Sequence, residues 1–109
     1  MQYLVTDHEE TRQQVLAAMS EAEGLGEVRT VASPEKLREL LEPEVTSCIL
    51  VDEALEGRIA LPIIQELSRT YPLIPVVLLS RARTSESVVA AMDAGARTVL
   101  ALPLSLEEI

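Results

Sequence analysis

Short apolar runs rich in β-branched residues alternate along this chain with longer stretches in which apolar positions recur every three or four residues. Segments of strand period and helix period in alternation predict a parallel sheet covered by helices on both faces. Five strands are expected, over residues 2–6, 27–32, 46–51, 75–80 and 98–102. Cys48-Ile49-Leu50-Val51 and Val76-Val77-Leu78-Leu79 are apolar without interruption, as strands buried on both faces should be. By contrast, Glu27-Val28-Arg29-Thr30-Val31 alternates and predicts an edge strand, which leaves the later strands for the middle of the sheet.

Four helices fill the gaps. Residues 10–23 carry Val15, Ala18, Met19 and Ala22 on one face, with Gly24 as the stop. Ser33-Pro34 supplies an N-cap and a proline at the first helical position; Leu37, Leu40 and Leu41 then form the apolar face, with Pro43 just past the end. A third helix starts near Leu61-Pro62 and ends before Pro72, burying Ile63, Ile64 and Leu67, and a fourth spans residues 85–94 with its stop at Gly95. In the closing segment Pro103-Leu104-Ser105-Leu106-Glu107-Glu108-Ile109, Ser105 and Glu108 have capping-box spacing, so a fifth helix begins and is cut short. The apolar face that such a helix would cover predicts either one domain, residues 1–109, at the N-terminal part of a longer protein, or a homodimer or swapped assembly closing over that face.

Composition narrows the functions. A chain of 109 residues is one domain. Nine Lys plus Arg against eighteen Asp plus Glu leave a net charge of −9, which argues against nucleic acid. With only Tyr3 and Tyr71 as rings there is no platform for stacking bases. No apolar run approaches membrane-spanning length, and no basic stretch precedes an apolar one at the N-terminus, so neither a membrane nor a secretory signal is expected. The single cysteine, Cys48, suits a small core position in a reducing cytoplasm.

Chemistry in an open parallel sheet collects at the carboxyl ends of its strands. Here those ends read Thr6-Asp7-His8-Glu9-Glu10, Asp52-Glu53, Ser80-Arg81 and Leu102-Pro103. Asp7 and Asp52 come from adjacent strands, and two carboxylates sharing one pocket need a cation or a proton between them, with Mg²⁺ the natural partner. Simpler roles stand beside these. Asp7 suits a helix cap, Asp52 a buried carboxylate packed against the first helix, Ser80 a loop cap and His8 a solvated polar residue. The first turn has no glycine to bring backbone against a pyrophosphate, no Gly-Lys-Ser/Thr loop occurs, and the lone histidine has no neighbouring nucleophile.

These same residues carry a family resemblance. Tyr3-Leu4-Val5-Thr6-Asp7-His8-Glu9, Ile49-Leu50-Val51-Asp52, Val77-Leu78-Leu79-Ser80, Ala94-Gly95-Ala96 and Leu102-Pro103-Leu104 follow one another in the order and spacing of a known domain. Over all but its final helix the chain resembles the receiver domain of two-component response regulators. The resemblance implies a CheY-like, flavodoxin-like α/β fold of three layers (α/β/α), with a five-stranded parallel sheet of order 2-1-3-4-5 and a truncated final helix. It also implies a phosphoacceptor at Asp52, a phosphate contact from Ser80, and Mg²⁺ held by Asp7, Asp52 and the backbone carbonyl of Ala54; Arg81, outside the family pattern, is a further candidate phosphate contact. His8 departs from the pattern, standing where the family's second acid belongs, and Leu102 where it has a lysine. Arg81 replaces a small residue, Val99 replaces the aromatic switch residue, and Leu55-Glu56-Gly57 matches the following loop only loosely. A neutral imidazole is a poor ligand for a hard cation, and without the lysine the added phosphoryl charge goes uncompensated unless Arg81 folds over the pocket. The expectation is a non-enzymatic, degenerate receiver with weak or absent Mg²⁺ binding, acting on a protein partner or an appended effector domain. Its contact face would include Val88, Val89, Met92, Val99 and Leu100, as is usual in the family. The alternative is a working receiver phosphorylated on Asp52 by a histidine kinase.

Overall fold

The computed structural model describes residues 2–21, 28–53, 60–80 and 85–101. Strands and helices alternate as β1 (Gln2–Val5), α1 (Glu9–Glu21), β2 (Val28–Val31), α2 (Pro34–Leu40), β3 (Cys48–Asp52), α3 (Ala60–Thr70), β4 (Val76–Ser80), α4 (Ser85–Ala94) and β5 (Thr98–Ala101). All strand pairs are parallel and the order across the sheet is β2-β1-β3-β4-β5, with the alternating segment at the edge as its pattern required. The closing segment expected to start a fifth helix lies outside the described residues.

The two-residue period divides the sheet cleanly. Tyr3, Val5, Ile49, Val51, Val76, Leu78 and Val99 point to one face, where Leu37 and Leu41 from α2 and its C-cap, Ile63, Ile64 and Leu67 of α3 and Ala91 of α4 pack on them. Leu4, Leu50, Val77 and Leu79 point to the other face and meet Val15 of α1, with Cys48 and Leu100 half-buried beside them. Cys48 is therefore a partly covered position rather than a fully enclosed one. The side chain of Met19 and all of Ala22 fall outside the described residues.

Two expectations about local structure are corrected. Leu40 is 41% exposed rather than part of the apolar face. Leu37 and Leu41 are four residues apart and share the inward stripe, which turns Leu40 outward, although its carbonyl still accepts a hydrogen bond from the Tyr3 hydroxyl at 3.0 Å. β3 starts at Cys48 instead of residue 46, because Thr46 turns its hydroxyl back to the Glu42 carbonyl at 2.7 Å and serves the preceding loop.

The caps follow the sequence signals. Ser33 is extended and its Oγ accepts the Lys36 amide at 3.2 Å, while Pro34 occupies the first helical position, where no donor is needed. Ser33→Ala is expected to cost about 1 kcal/mol, read as a lower denaturant midpoint at unchanged slope. At the far end of α4 the Gly95 amide bonds to the Met92 carbonyl and the Ala96 amide to the Ala91 carbonyl, both at 3.0 Å, which is a Schellman motif with Gly95 at φ 115°. Its apolar partners, Ala91 and Ala96, are both buried.

Candidate functional site

Parallel pairing aligns the carboxyl ends of β1, β3 and β4. Val5 pairs with Val51, so Thr6 and Asp52 each stand one residue beyond that pair and, by alternation, on the α1 side of the sheet. Asp52 is fully buried and so is Ser80, the last residue of β4; Thr6 is 3% exposed. The Thr6 hydroxyl donates to Asp52 Oδ2 at 2.7 Å. On its other side the Thr6 oxygen accepts the His8 amide at 3.1 Å, and the Thr6 amide is held by the Val31 carbonyl of β2 at 3.0 Å. Beyond Asp52, the Glu53 amide continues the ladder onto Leu79 O at 3.0 Å.

Asp7 and His8 lie further out. The Asp7 side chain keeps 23% of its exposure and that of His8 43%, with His8 Nε2 3.4 Å from Asp7 Oδ1. The first helical bond of α1 runs from the Arg12 amide to the His8 carbonyl at 3.1 Å, so His8 rather than Asp7 stands just ahead of the helix. An open cleft of about 300 Å³ lies alongside, lined by Thr6, Asp7, His8, Glu9 and Arg12 on one side and by Thr30, Val31 and Ala32 on the other. Arg12 is engaged there by Glu9 at 2.7 Å.

The arrangement brings together three of the expected site residues, Asp7, Asp52 and Ser80, at one end of the sheet; Ala54 and Arg81 lie outside the described residues. Thr6 is the residue that sequence reasoning passed over. It precedes the acidic segment at strand period from Leu4, a signal that it shares a face with whatever the neighbouring strand presents there. Among the described residues no three His, Cys, Asp or Glu side chains gather as ligands for a metal ion. A hard cation takes six or more oxygens. Mg²⁺ keeps several of these as waters, so Asp7 and Asp52 are the candidate oxygen donors at this end of the sheet; Asp52 Oδ2 accepts the Thr6 proton.

Cys48 sits away from this end, at the start of β3. Burial pushes its thiol above its ordinary range, only partly offset by the Ile49 backbone hydrogen bond and the charge of Arg97. Its alkylation by iodoacetamide at pH 8 is expected to be slower than that of a free cysteine, since less thiolate is present. The folded-state value lies above the unfolded one. Full stability from this group is therefore held below the unfolded pKa and lost as the pH rises through the folded one, which urea melts across the alkaline range would register.

The expected contact face divides, with Val99 turned to the α3 and α4 side of the sheet and Leu100 to the α1 side. Val99 is buried, Val88 and Leu100 are half-buried, and Val89 and Met92 remain 59% and 51% exposed.

Comparison with known proteins matches residues 3–109 to the response regulator receiver domain. An NtrX-like response regulator of Rickettsia bellii is 30% identical over 108 residues, covering 97% of this chain and 22% of that protein. The chain thus spans about a fifth of the length of such relatives. Among solved structures, the receiver domain of a DNA-binding response regulator from Colwellia psychrerythraea superposes with a TM-score of 0.82 at 17% identity, over 97% of this chain and 88% of the other. A pilus assembly protein, CpaE, from Burkholderia thailandensis gives a TM-score of 0.75 at 20% identity, over 98% and 88%. At such identities the likeness is one of fold.

Proposed function

The chain belongs to the response regulator receiver family, and on that premise we propose that it is a signalling module working through protein contact, with aspartyl phosphorylation at Asp52 weak or lost. The observation that carries this reading is the state of Asp52, fully buried with Oδ2 accepting the Thr6 hydroxyl at 2.7 Å. Attack on phosphorus needs a carboxylate oxygen that can reach the donor, and the added charge of nearly two needs cations around it. His8 and Leu102 stand where the family carries an acid and a lysine, so the positions that would recruit Mg²⁺ and neutralise the phosphoryl group hold an imidazole and an alkyl chain. Mg²⁺, when bound at the acidic end of a receiver, supplies that charge neutralisation. Weak binding is the expectation here, with Asp7, Asp52 and the Ala54 carbonyl as the only family donors retained. Arg81, where the family has a small residue, is the cation next to Ser80 in sequence.

The reading extends to context. A module of this kind acts through an appended effector domain or a separate protein, in the cytoplasm, with a second copy as the other candidate partner; among the described residues no helix is long and apolar enough to cross a membrane.

The test uses Mg²⁺ with acetyl phosphate, and separately beryllofluoride, followed by intact mass and backbone NMR. No stoichiometric adduct and no shifts centred on Asp52 are expected. Stoichiometric modification that vanishes in Asp52→Ala would overturn the proposal in favour of a working receiver fed by a histidine kinase.

A further inference from the structure

We infer that Thr6 is the positioning residue of this site, linking the Asp52 carboxylate to the turn that opens α1. The inference deepens the reading above and rests on Asp52 being the site's central carboxylate. Three groups form a chain: the His8 amide donates to Thr6 Oγ1 at 3.1 Å, and the Thr6 hydroxyl donates onward to Asp52 Oδ2 at 2.7 Å. A hydroxyl has one proton to give. Its commitment to Asp52 sets the hydroxyl rotor, and a donating oxygen is in turn a better acceptor for the amide behind it. The inner bond is enclosed, with Thr6 3% exposed and Asp52 fully buried, so water is poorly placed to replace it, while the outer bond from the His8 amide is part-buried.

The backbone around Thr6 makes it a firm link. Its own amide is pinned to Val31 O on β2, and the His8 carbonyl receives the first helical bond of α1 from Arg12. A change at Asp52 that withdraws Oδ2 therefore acts on the His8 amide, and through the His8 peptide on the start of α1 and the cleft beside it. Val99, where the family has its aromatic switch residue, is a buried alkyl group that can neither donate nor accept a hydrogen bond. The route through Thr6 leads instead toward β2 and α1.

Amide hydrogen exchange at His8 tests the link in the full chain. Thr6→Val keeps the shape and removes the hydroxyl, and roughly fivefold faster exchange at His8 is expected. Thr6→Ser should restore the slow rate. Asp52→Ala should speed His8 exchange when residue 6 is Thr or Ser and leave it unchanged when residue 6 is Val. Equal acceleration by Asp52→Ala in the Thr6→Val chain, or none in the unmodified chain, would overturn the inference. Where Asp52→Ala does not fold, the Asp52 side-chain carboxyl ¹³C resonance at neutral pH decides instead. It should move in Thr6→Val and return in Thr6→Ser, and an unmoved resonance in Thr6→Val rejects the link. None of these measurements involves a phosphodonor, so a working phosphoacceptor would leave them unaffected and the two proposals fail separately.

Discussion

Placing aspartate at position 8 and lysine at position 102 together is expected to raise the yield of Asp52 modification by acetyl phosphate and Mg²⁺ by about two orders of magnitude. Each replacement restores one charge that the chemistry uses. A lysine giving a charge-assisted hydrogen bond to the phosphoryl oxygens contributes roughly 1.5–3 kcal/mol, or about tenfold or more. Aspartate in place of His8 adds an oxygen ligand where an imidazole now stands 3.4 Å from Asp7, and a further gain of about tenfold in Mg²⁺ affinity is expected from a third carboxylate. The single variants should each recover about one order of magnitude. If the double variant stays as unreactive as the parent, missing charges are not what silences Asp52, and its burial and its bond to Thr6 become the causes to pursue.

The second large effect concerns the fold. Gly95→Ala is expected to destabilise the domain by about 3 kcal/mol, lowering the melting temperature by roughly 15 °C. Two independent costs combine at this position. Gly95 has φ 115°, a conformation that costs a side-chain-bearing residue of order 1–3 kcal/mol. A Cβ there would also overlap Ser68 Oγ and come within 2.7 Å of Ser68 Cβ, adding overpacking of similar size. Ser68 cannot easily withdraw, since its one hydroxyl proton is shared between Gln65 O at 3.1 Å and Ala94 O at 3.3 Å, the second of which ties α3 to the end of α4. Adding Ser68→Ala to Gly95→Ala removes the Oγ overlap but leaves the close Cβ and the backbone strain, so only part of the loss should return. Full recovery in the double variant would mean that φ carries no cost here.

Alternation of strand-period and helix-period segments specified a covered parallel sheet, because strands with both faces apolar require helices on both sides. Ser33-Pro34 and Gly95 marked helix ends through chemistry that operates within a few residues, and both act as expected. Leu40 was misplaced because consecutive leucines leave the inward stripe of a short helix ambiguous until the sheet beneath it selects Leu37 and Leu41. The acids at the strand ends were legible as candidates from their position alone.

What no local pattern contains is which side chains meet across neighbouring strands. Thr6 and Asp52 are 46 residues apart, and their hydrogen bond exists only because the register Val5 to Val51 sets them side by side with the same alternation. The contact of Gly95 with Ser68 likewise arises when α3 and α4 pack against one sheet face. Residue identity and spacing thus determined the elements, their order of burial and the roster of charged groups. The pairing of strands and helices decided how those groups are satisfied, since a hydrogen bond or a steric clash depends on distances of a few tenths of an ångström that only the assembled layers define.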